Sequence, residues 1–157
     1  MVEIRQARSD DLPAIVGLLA DDPLGRERED TGTPLNGGYV TAFEAITRDP
    51  NQLLVVADDG SAVVGCLQIT FIPGLSRKGQ WRGQIESVRV ASGRRSAGIG
   101  RTLLEWAIGA CRVRGCGFVQ LTTDKSRARA HAFYARLGFE ASHEGMKLGL
   151  QPAAASA

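Results

Sequence analysis

Hydrophobic and polar positions change period several times along this chain, and each change marks an element. Residues 2–7 (VEIRQA) alternate as a short strand does. In the following SDDLPAIVGLLA, Leu12, Ile15, Val16 and Leu19 recur at helical spacing, with Ser9 or Asp10 as the expected cap. Residues 21–37 are mainly polar and read as a connection. A second helix is predicted from about Gly38 to Arg48, because Pro50 restricts the chain just beyond it. Three strands are then predicted at 52–58 (QLLVVAD), 62–72 (AVVGCLQITFI) and 83–90 (GQIESVRV), with Asp59 and Gly60 turning a hairpin between the first two.

After the third strand the period lengthens from two to nearly four. Ile99, Leu103, Trp106, Ala107, Ala110 and Cys111 share one face of a helix ending near Gly115. Residues 117–122 (GFVQLT) predict another strand, Ser126–Leu137 a last helix stopped by Gly138, and strand-like residues run on to Gly149. The helix-bearing crossover between 90 and 117 makes its two strands parallel, whereas the earlier meander is antiparallel. The expected fold is therefore an α/β (α+β) domain with a mixed, mostly antiparallel central sheet and flanking helices. Residues 1–150 form one domain in this reading, and 151–157 (QPAAASA) a flexible tail.

Composition narrows the class. A chain of 157 residues has the length of one domain, and 43% hydrophobic with 23% charged residues is ordinary globular usage. No apolar run approaches the roughly 18 residues of a membrane helix. The opening MVEIRQARSDDL lacks the apolar core of a secretory signal, which predicts a cytoplasmic protein with no membrane partner. Cys66, Cys111 and Cys116 contain no CxxC spacing and read as free thiols, and with only His131 and His143 beside them no metal site is expected. Arginine outnumbers lysine 16 to 3, a usage typical of a GC-rich bacterial genome. Charge is +2 overall but segregated: residues 94–136 carry nine basic against two acidic side chains, and residues 1–60 five against twelve. A basic half suits an anionic ligand, and two solvated faces of opposite sign are the alternative.

Two stretches carry chemistry. In VRVASGRRSAGIGRTLL (88–104) a strand ends, small and basic residues follow, and Gly98 and Gly100 open a helix. Main-chain amides at a helix start have no partner within the helix, and glycine admits an anion close to them. Arg94 and Arg95 add charge-assisted donors. A P-loop needs GxxxxGK with Ser or Thr, which is absent, and a dinucleotide fingerprint needs glycine where Leu103 stands. Close packing of helix on sheet is the other use of the glycines. In RARAHAFYARLGFEA (127–141), Tyr134 is the candidate chemical residue, since a phenol stays protonated at neutral pH and can protonate a leaving thiolate; an amphipathic filler is its other role.

Together these stretches resemble the GNAT superfamily of acyl-CoA-dependent N-acetyltransferases. The Gln/Arg-x-x-Gly-x-Gly/Ala pattern stands as Arg95, Gly98 and Gly100, and an A-x-x-F-Y-x-x-x-G-F run follows as Ala130, Phe133, Tyr134, Gly138 and Phe139. The resemblance implies that the strand ending at Val90 splays from the one starting near Gly117, so that pantetheine bonds the main chain around Val88, Arg89 and Val90. It implies acetyl-CoA as co-substrate, its diphosphate held by Arg94, Arg95, Ser96, Ala97, Gly98, Ile99, Gly100 and Arg101, with Arg127, Ala130 and Phe133 contributing from the later helix. Many members carry Asn where this chain has Arg127, so that contact changes to one with a CoA phosphate or with solvent.

Glu86 lies two and four residues before Val88 and Val90, on their face if the strand is regular and off it if a β-bulge intervenes. Members of the family use a carboxylate on this strand to take a proton from the acceptor ammonium; a salt-bridged surface carboxylate is the alternative. Substrate recognition in the family lies in the connection and helices near Asp21–Val40 and in a last hairpin, here His143–Lys147. Asp21, Asp22, Glu27, Glu29 and Asp30 are candidates to steer a cationic amine, and His143 is a second acid/base candidate. The resulting expectation is an N-acetyltransferase in which a small-molecule or peptide amine attacks acetyl-CoA directly, with Tyr134 as acid. A CoA-binding sensor or regulatory module without turnover is the competing reading. A nucleic-acid-binding role for the basic half is disfavoured, because no helix-turn-helix pairing is evident and CoA phosphates account for the charge. The resemblance leaves a homodimer open.

Overall fold

The computed structural model describes residues 1–150. In chain order the elements are β1 (Glu3–Gln6), a 3-10 turn (Ser9–Asp11), α1 (Leu12–Ala20), α2 (Gly37–Arg48), β2 (Gln52–Asp58), β3 (Val63–Ile72), a single turn α3 (Ser76–Gly79), β4 (Arg82–Val90), a 3-10 turn (Ser92–Arg94), α4 (Ile99–Val113), β5 (Phe118–Leu121) and α5 (Ala128–Arg136). The sheet runs β1-β2-β3-β4-β5, antiparallel throughout except for the parallel pair β4–β5. This is the mixed α/β sheet expected from the change of period. The chain divides into two compact units, Met1–Leu121 with the whole sheet, and a second beginning at Thr122 with α5.

In the first unit each sheet face has its own cover. Leu54, Val56 and Cys66 pack with Ile15 and Leu18 of α1, and Phe43 and Ile46 of α2 lie against that cluster. The opposite face meets α4. A side chain on Gly65 would meet Leu103, and one on Gly83 would come within 2.3 Å of the Cys111 sulfur. Glycine at 83 therefore sets how closely α4 approaches the sheet. Leu67, Ile69, Ile85, Leu103, Leu104 and Ala107 are fully or almost fully buried; of the face expected for α4, Ile99, Leu103, Ala107 and Cys111 are buried, whereas Trp106 is exposed and Leu104, outside that face, is buried.

Three elements depart from the sequence pattern. Neither Ser9 nor Asp10 caps α1; the chain enters it through the 3-10 turn, where Asp11 accepts the Arg8 amide at 2.7 Å. The last helix starts at Ala128 rather than Ser126, because Asp124 Oδ1 accepts both the Ser126 amide (2.9 Å) and hydroxyl (2.6 Å), a local turn that competes with the helix. Among the described residues no strand follows α5. Met146, Leu148 and Leu150 alternate as a strand would, yet all three are almost fully exposed, so no packing partner selects that conformation.

One ion-pair group joins the first strand, the turn and the β2–β3 hairpin. Arg5 grips Asp11 with two bonds of 2.8 and 3.0 Å and Asp58 with two of 3.0 and 2.9 Å. The Arg5 bonds hold Asp11 below the usual carboxylate range, against the opposing effect of burial. A carboxylate lowered on folding contributes stability above its unfolded value of 3.8 and loses that contribution as pH falls through the folded value. Urea unfolding at a series of pH values is expected to show a decline in stability below about pH 4 that is shallower in Asp11→Asn than in the parent. Identical slopes in the two proteins would remove Asp11 from the account.

Candidate functional site

The site in the first unit is built around an irregularity in β4. Its pairing with β3 runs Ile85↔Ile69 and Glu86↔Gln68, then resumes at Arg89↔Cys66 and Val90↔Gly65. Two residues, Ser87 and Val88, thus stand opposite Leu67, and Ser87 takes a left-handed φ of 55°. Directly opposed residues share a face, so Glu86 belongs with Gln68, Cys66 and Arg89, while Val90 joins Gly65 on the α4 side. The regular-strand expectation that puts Glu86 on the face of Val88 and Val90 is overturned by this bulge. Glu86 is exposed.

The parallel pairing of β4 with β5 runs from Arg82↔Phe118 to Ile85↔Leu121 and stops. Among the described residues, Glu86 to Val90 have no β5 partner, which leaves this stretch without a strand neighbour on that side; the Val88 carbonyl accepts Arg89 Nη1 at 3.0 Å and the Val90 carbonyl accepts Arg95 Nε at 3.3 Å.

Beyond Val90 the chain makes the second 3-10 turn and reaches α4 through two left-handed residues, Ser96 at φ 70° and Gly98 at φ 82°. Thr102 donates to the Gly98 carbonyl at 3.0 Å to begin the helix ladder. The amides of Ile99, Gly100 and Arg101 precede that bond and are the orphan donors of the helix start. Space around Gly98 is open to at least 4 Å. Its glycine is needed for the left-handed turn rather than for close packing of helix on sheet.

The arginines of this loop are engaged within the chain. Arg94 donates to the Asp59 carboxylate at the β2–β3 hairpin. Arg95 donates to the Asp21 carbonyl at 2.7 Å and the Val90 carbonyl at 3.3 Å. Asp21 Oδ2 in turn accepts the Ser92 amide at 2.9 Å, which is the main cause of its lowered pKa. Arg89 Nε stands 3.4 Å from the buried Asp22, itself the acceptor of the Leu24 and Gly25 amides. The expectation that Asp21 and Asp22 steer a cationic amine is corrected: both serve to tie the end of α1 to the glycine loop and β4. Glu29 accepts the Tyr39 hydroxyl at 3.0 Å, and Asp30 accepts the Gly32 amide. The roles of Asp21 and Asp59 as anchors were missed, and only the clustering of acid in residues 1–60 hinted at them.

In the second unit Tyr134 is half-buried on α5, its ring 5.3 Å from Phe133 and edge-on to Phe139 at 5.8 Å. Gly138, at φ 93°, turns the chain after the helix. Arg127 is the residue before Ala128, its carbonyl accepting the His131 amide; Ala130 is half-buried on the same helix. His143 is exposed and bonded to the Ser142 hydroxyl at 2.7 Å. All three cysteines are free; burial pushes the thiols of Cys66 to about 12 and Cys111 to about 11, which keeps them from acting as nucleophiles near neutral pH. Among the described residues no group of three or more His, Cys, Asp or Glu could hold a metal, and no helix is long and apolar enough to cross a membrane.

The family model for the acetyltransferase (GNAT) family matches residues 13–139 of this chain, a span that includes the parallel pair and the glycine turn. The chain belongs to that family. It is accordingly an acyltransferase, of the N-acetyltransferase kind. The aminoalkylphosphonate N-acetyltransferase of Salmonella typhimurium is 30% identical over 141 residues, covering 90% of this chain and 86% of the relative. A transcriptional regulator from Bacillus halodurans C-125 has a crystal structure 50% identical in sequence, with a TM-score of 0.93 and coverage of 96% of this chain and 100% of that one. A putative acetyltransferase from Agrobacterium tumefaciens is 26% identical, with a TM-score of 0.83 and coverage of 94% and 99%.

In this GNAT protein the left-handed turn at Gly98 carries a testable cost. Gly98→Ala places a Cβ on a φ of 82° and is expected to lower unfolding stability by about 1–2 kcal/mol. A change of a few tenths of that in urea unfolding would show that the turn relaxes at little cost.

Proposed function

We propose that residues 1–150 work as one domain that moves an acetyl group from acetyl-CoA to a primary amine by direct attack. The observation that carries this reading is the end of β4–β5 pairing before Glu86, followed by the amide-bearing turn at Gly98. An extended pantetheine arm can hydrogen-bond an open strand edge as an added strand does, and Val88, Arg89 and Val90 supply that edge. The diphosphate meets the amides and dipole at the start of α4, in the segment Arg94, Arg95, Ser96, Ala97, Gly98, Ile99, Gly100 and Arg101. Arg94 and Arg95 act here chiefly by holding that segment against Asp59 and Asp21. Arg127, Ala130 and Phe133 complete the cofactor contacts in the family pattern.

Only a neutral amine has the lone pair to attack a thioester, so the acceptor ammonium must first lose a proton, and Glu86 is the carboxylate assigned to take it. Nitrogen then bonds to the acetyl carbon, a main-chain amide near Val88 steadies the oxyanion, and as the carbon–sulfur bond breaks the nitrogen gives up its second proton to solvent, leaving the neutral amide. Tyr134 gives its proton to the departing CoA thiolate. The cysteines take no part, and no metal is invoked. Three free thiols support a reducing, cytoplasmic setting. A CoA-binding sensor or regulatory module is the second reading, favoured by the 50% identity to the Bacillus halodurans regulator.

Calorimetry with CoA and release of free CoA in the presence of primary amines separate the two. Saturable binding together with amine-dependent release is expected, and binding without release across peptides, polyamines, aminoglycosides and amino sugars would establish the sensor instead. Tyr134→Phe is expected to lower kcat about a hundredfold while leaving the Kd for CoA within about twofold. An unchanged kcat would assign the proton to another donor.

A further inference from the structure

The sheet face that Glu86 joins is apolar at one end and polar at the other. Leu54, Val56 and Cys66 fill the apolar end beneath α1 and α2. At the polar end the register sets Gln52 of β2 opposite Thr70 of β3, Thr70 opposite Gln84 of β4, and Gln84 opposite Gln120 of β5. Gln68 of β3 stands opposite Glu86. Five neutral polar side chains thus cross four adjacent strands and end at the one carboxylate. All five are half-buried.

Their mutual bonds fix which ends they present. Gln52 Oε1 accepts both the Gln68 amide and the Thr70 hydroxyl at 3.0 Å, and Gln120 Nε2 donates to Gln84 Oε1 at 2.6 Å. An amide has a donor and an acceptor end, so these bonds leave the NH2 groups of Gln52 and Gln84 and the carbonyls of Gln68 and Gln120 for another partner. Polar groups set in a sheet face are costly unless matched, and here donors and acceptors come interleaved. Hydroxyl and amide groups, which donate and accept, fit such a floor. Charge lies only at the outer end of this floor among the described residues: Arg82 is two residues from Gln84, about 7 Å along the strand, and the Arg77 guanidinium stands 5.1 Å from the ring centroid of Phe118, the residue opposite Arg82, whereas Arg89 is paired with Asp22.

We propose that Gln68, Gln84 and Gln120 read the acceptor, and that the acceptor is a primary amine carrying hydroxyl or amide groups. With the amine at Glu86, those groups reach Gln84 about 7 Å along β4 and Gln120 about 5 Å further across the sheet. The inference rests on the acetyl-transfer reading above, which puts the reacting nitrogen at Glu86.

Two amines of equal chain length test it: glucamine, with five hydroxyls, and hexylamine, with none. Each is assayed with acetyl-CoA against the parent protein, Gln84→Leu and Gln120→Leu. Loss of one neutral hydrogen bond is expected to lower kcat/KM for glucamine about three- to tenfold in each variant. Hexylamine turnover and the KM for acetyl-CoA are expected to stay within twofold. Gln84→Met and Gln120→Met, unbranched and close in length, replace a leucine variant that fails to bind CoA. Parallel losses for both amines, no loss for either, or a parent that prefers hexylamine would overturn the proposal. A parent that binds CoA and acetylates no amine of any class overturns the acetyl-transfer reading itself, and with it this inference.

Discussion

One extra residue in β4 governs the chemistry of this sheet. Ile85 and Val90 are five positions apart, so in a regular strand they would face opposite ways, and Arg89 would point at α4. Placing Ser87 and Val88 together opposite Leu67 inverts the alternation. Val90 then shares the α4 side with Ile85, and Arg89 turns to Asp22 instead of the apolar helix. Glu86, which precedes the bulge, pairs with Gln68 on the side covered elsewhere by α1 and α2. Because β5 stops pairing one residue earlier, at Ile85, the bulge and the open edge coincide. A bulge bends and twists its strand, so the separation of the parallel pair and the facing of Arg89 and Val90 have a common origin.

The glycine turn depends on a second constraint, the carboxylates that hold it. Left-handed conformations at Ser96 and Gly98 persist where the surroundings over-determine them. Asp59 holds Arg94, and Asp21 holds both the Ser92 amide and, through its carbonyl, Arg95. The basic and acidic halves of the sequence therefore meet in space as internal pairs. Much of the apparent positive charge at the loop is balanced before any anion arrives, and what the loop offers is aligned main-chain amides. Such donors act at short range and by direction, which suits a diphosphate better than a general excess of cations does.

How much of this was legible follows from what each residue answers to. Elements with one buried face came within a residue or two, since burial enforces the period; α4, with Leu103, Leu104 and Ala107 wholly buried, is the clearest. Boundaries failed where a side chain satisfies nearby backbone, as Asp11 and Asp124 do. Alternation alone misled at Met146, Leu148 and Leu150, where nothing is buried. Gly98 was legible as the opening of a helix, whereas its left-handed turn was not among the uses read for it. The bulge was not legible, because Ser87 gives no sign in QIESVRV of its left-handed backbone. Nor was the glutamine floor: positions 52, 68, 84 and 120 are far apart in sequence, and only strand register assembles them.

In the proposed reading, the two substrates are recognised by different parts of the polymer. The cofactor segment relies on amides that every residue but proline possesses, so side chains from Val88 to Arg101 are free to vary except where a left-handed turn demands glycine or where Arg89, Arg94 and Arg95 anchor the segment. Acceptor choice rests on side chains that share one face through pairing across strands. Replacing a single residue there alters one hydrogen-bonding group without moving the backbone that holds the thioester. A one-residue shift of β4 would turn the whole face over, which makes the register, rather than any one glutamine, the costly thing to change. The bulge at Ser87 thus separates a segment whose conformation is fixed from a face whose chemistry can be exchanged residue by residue.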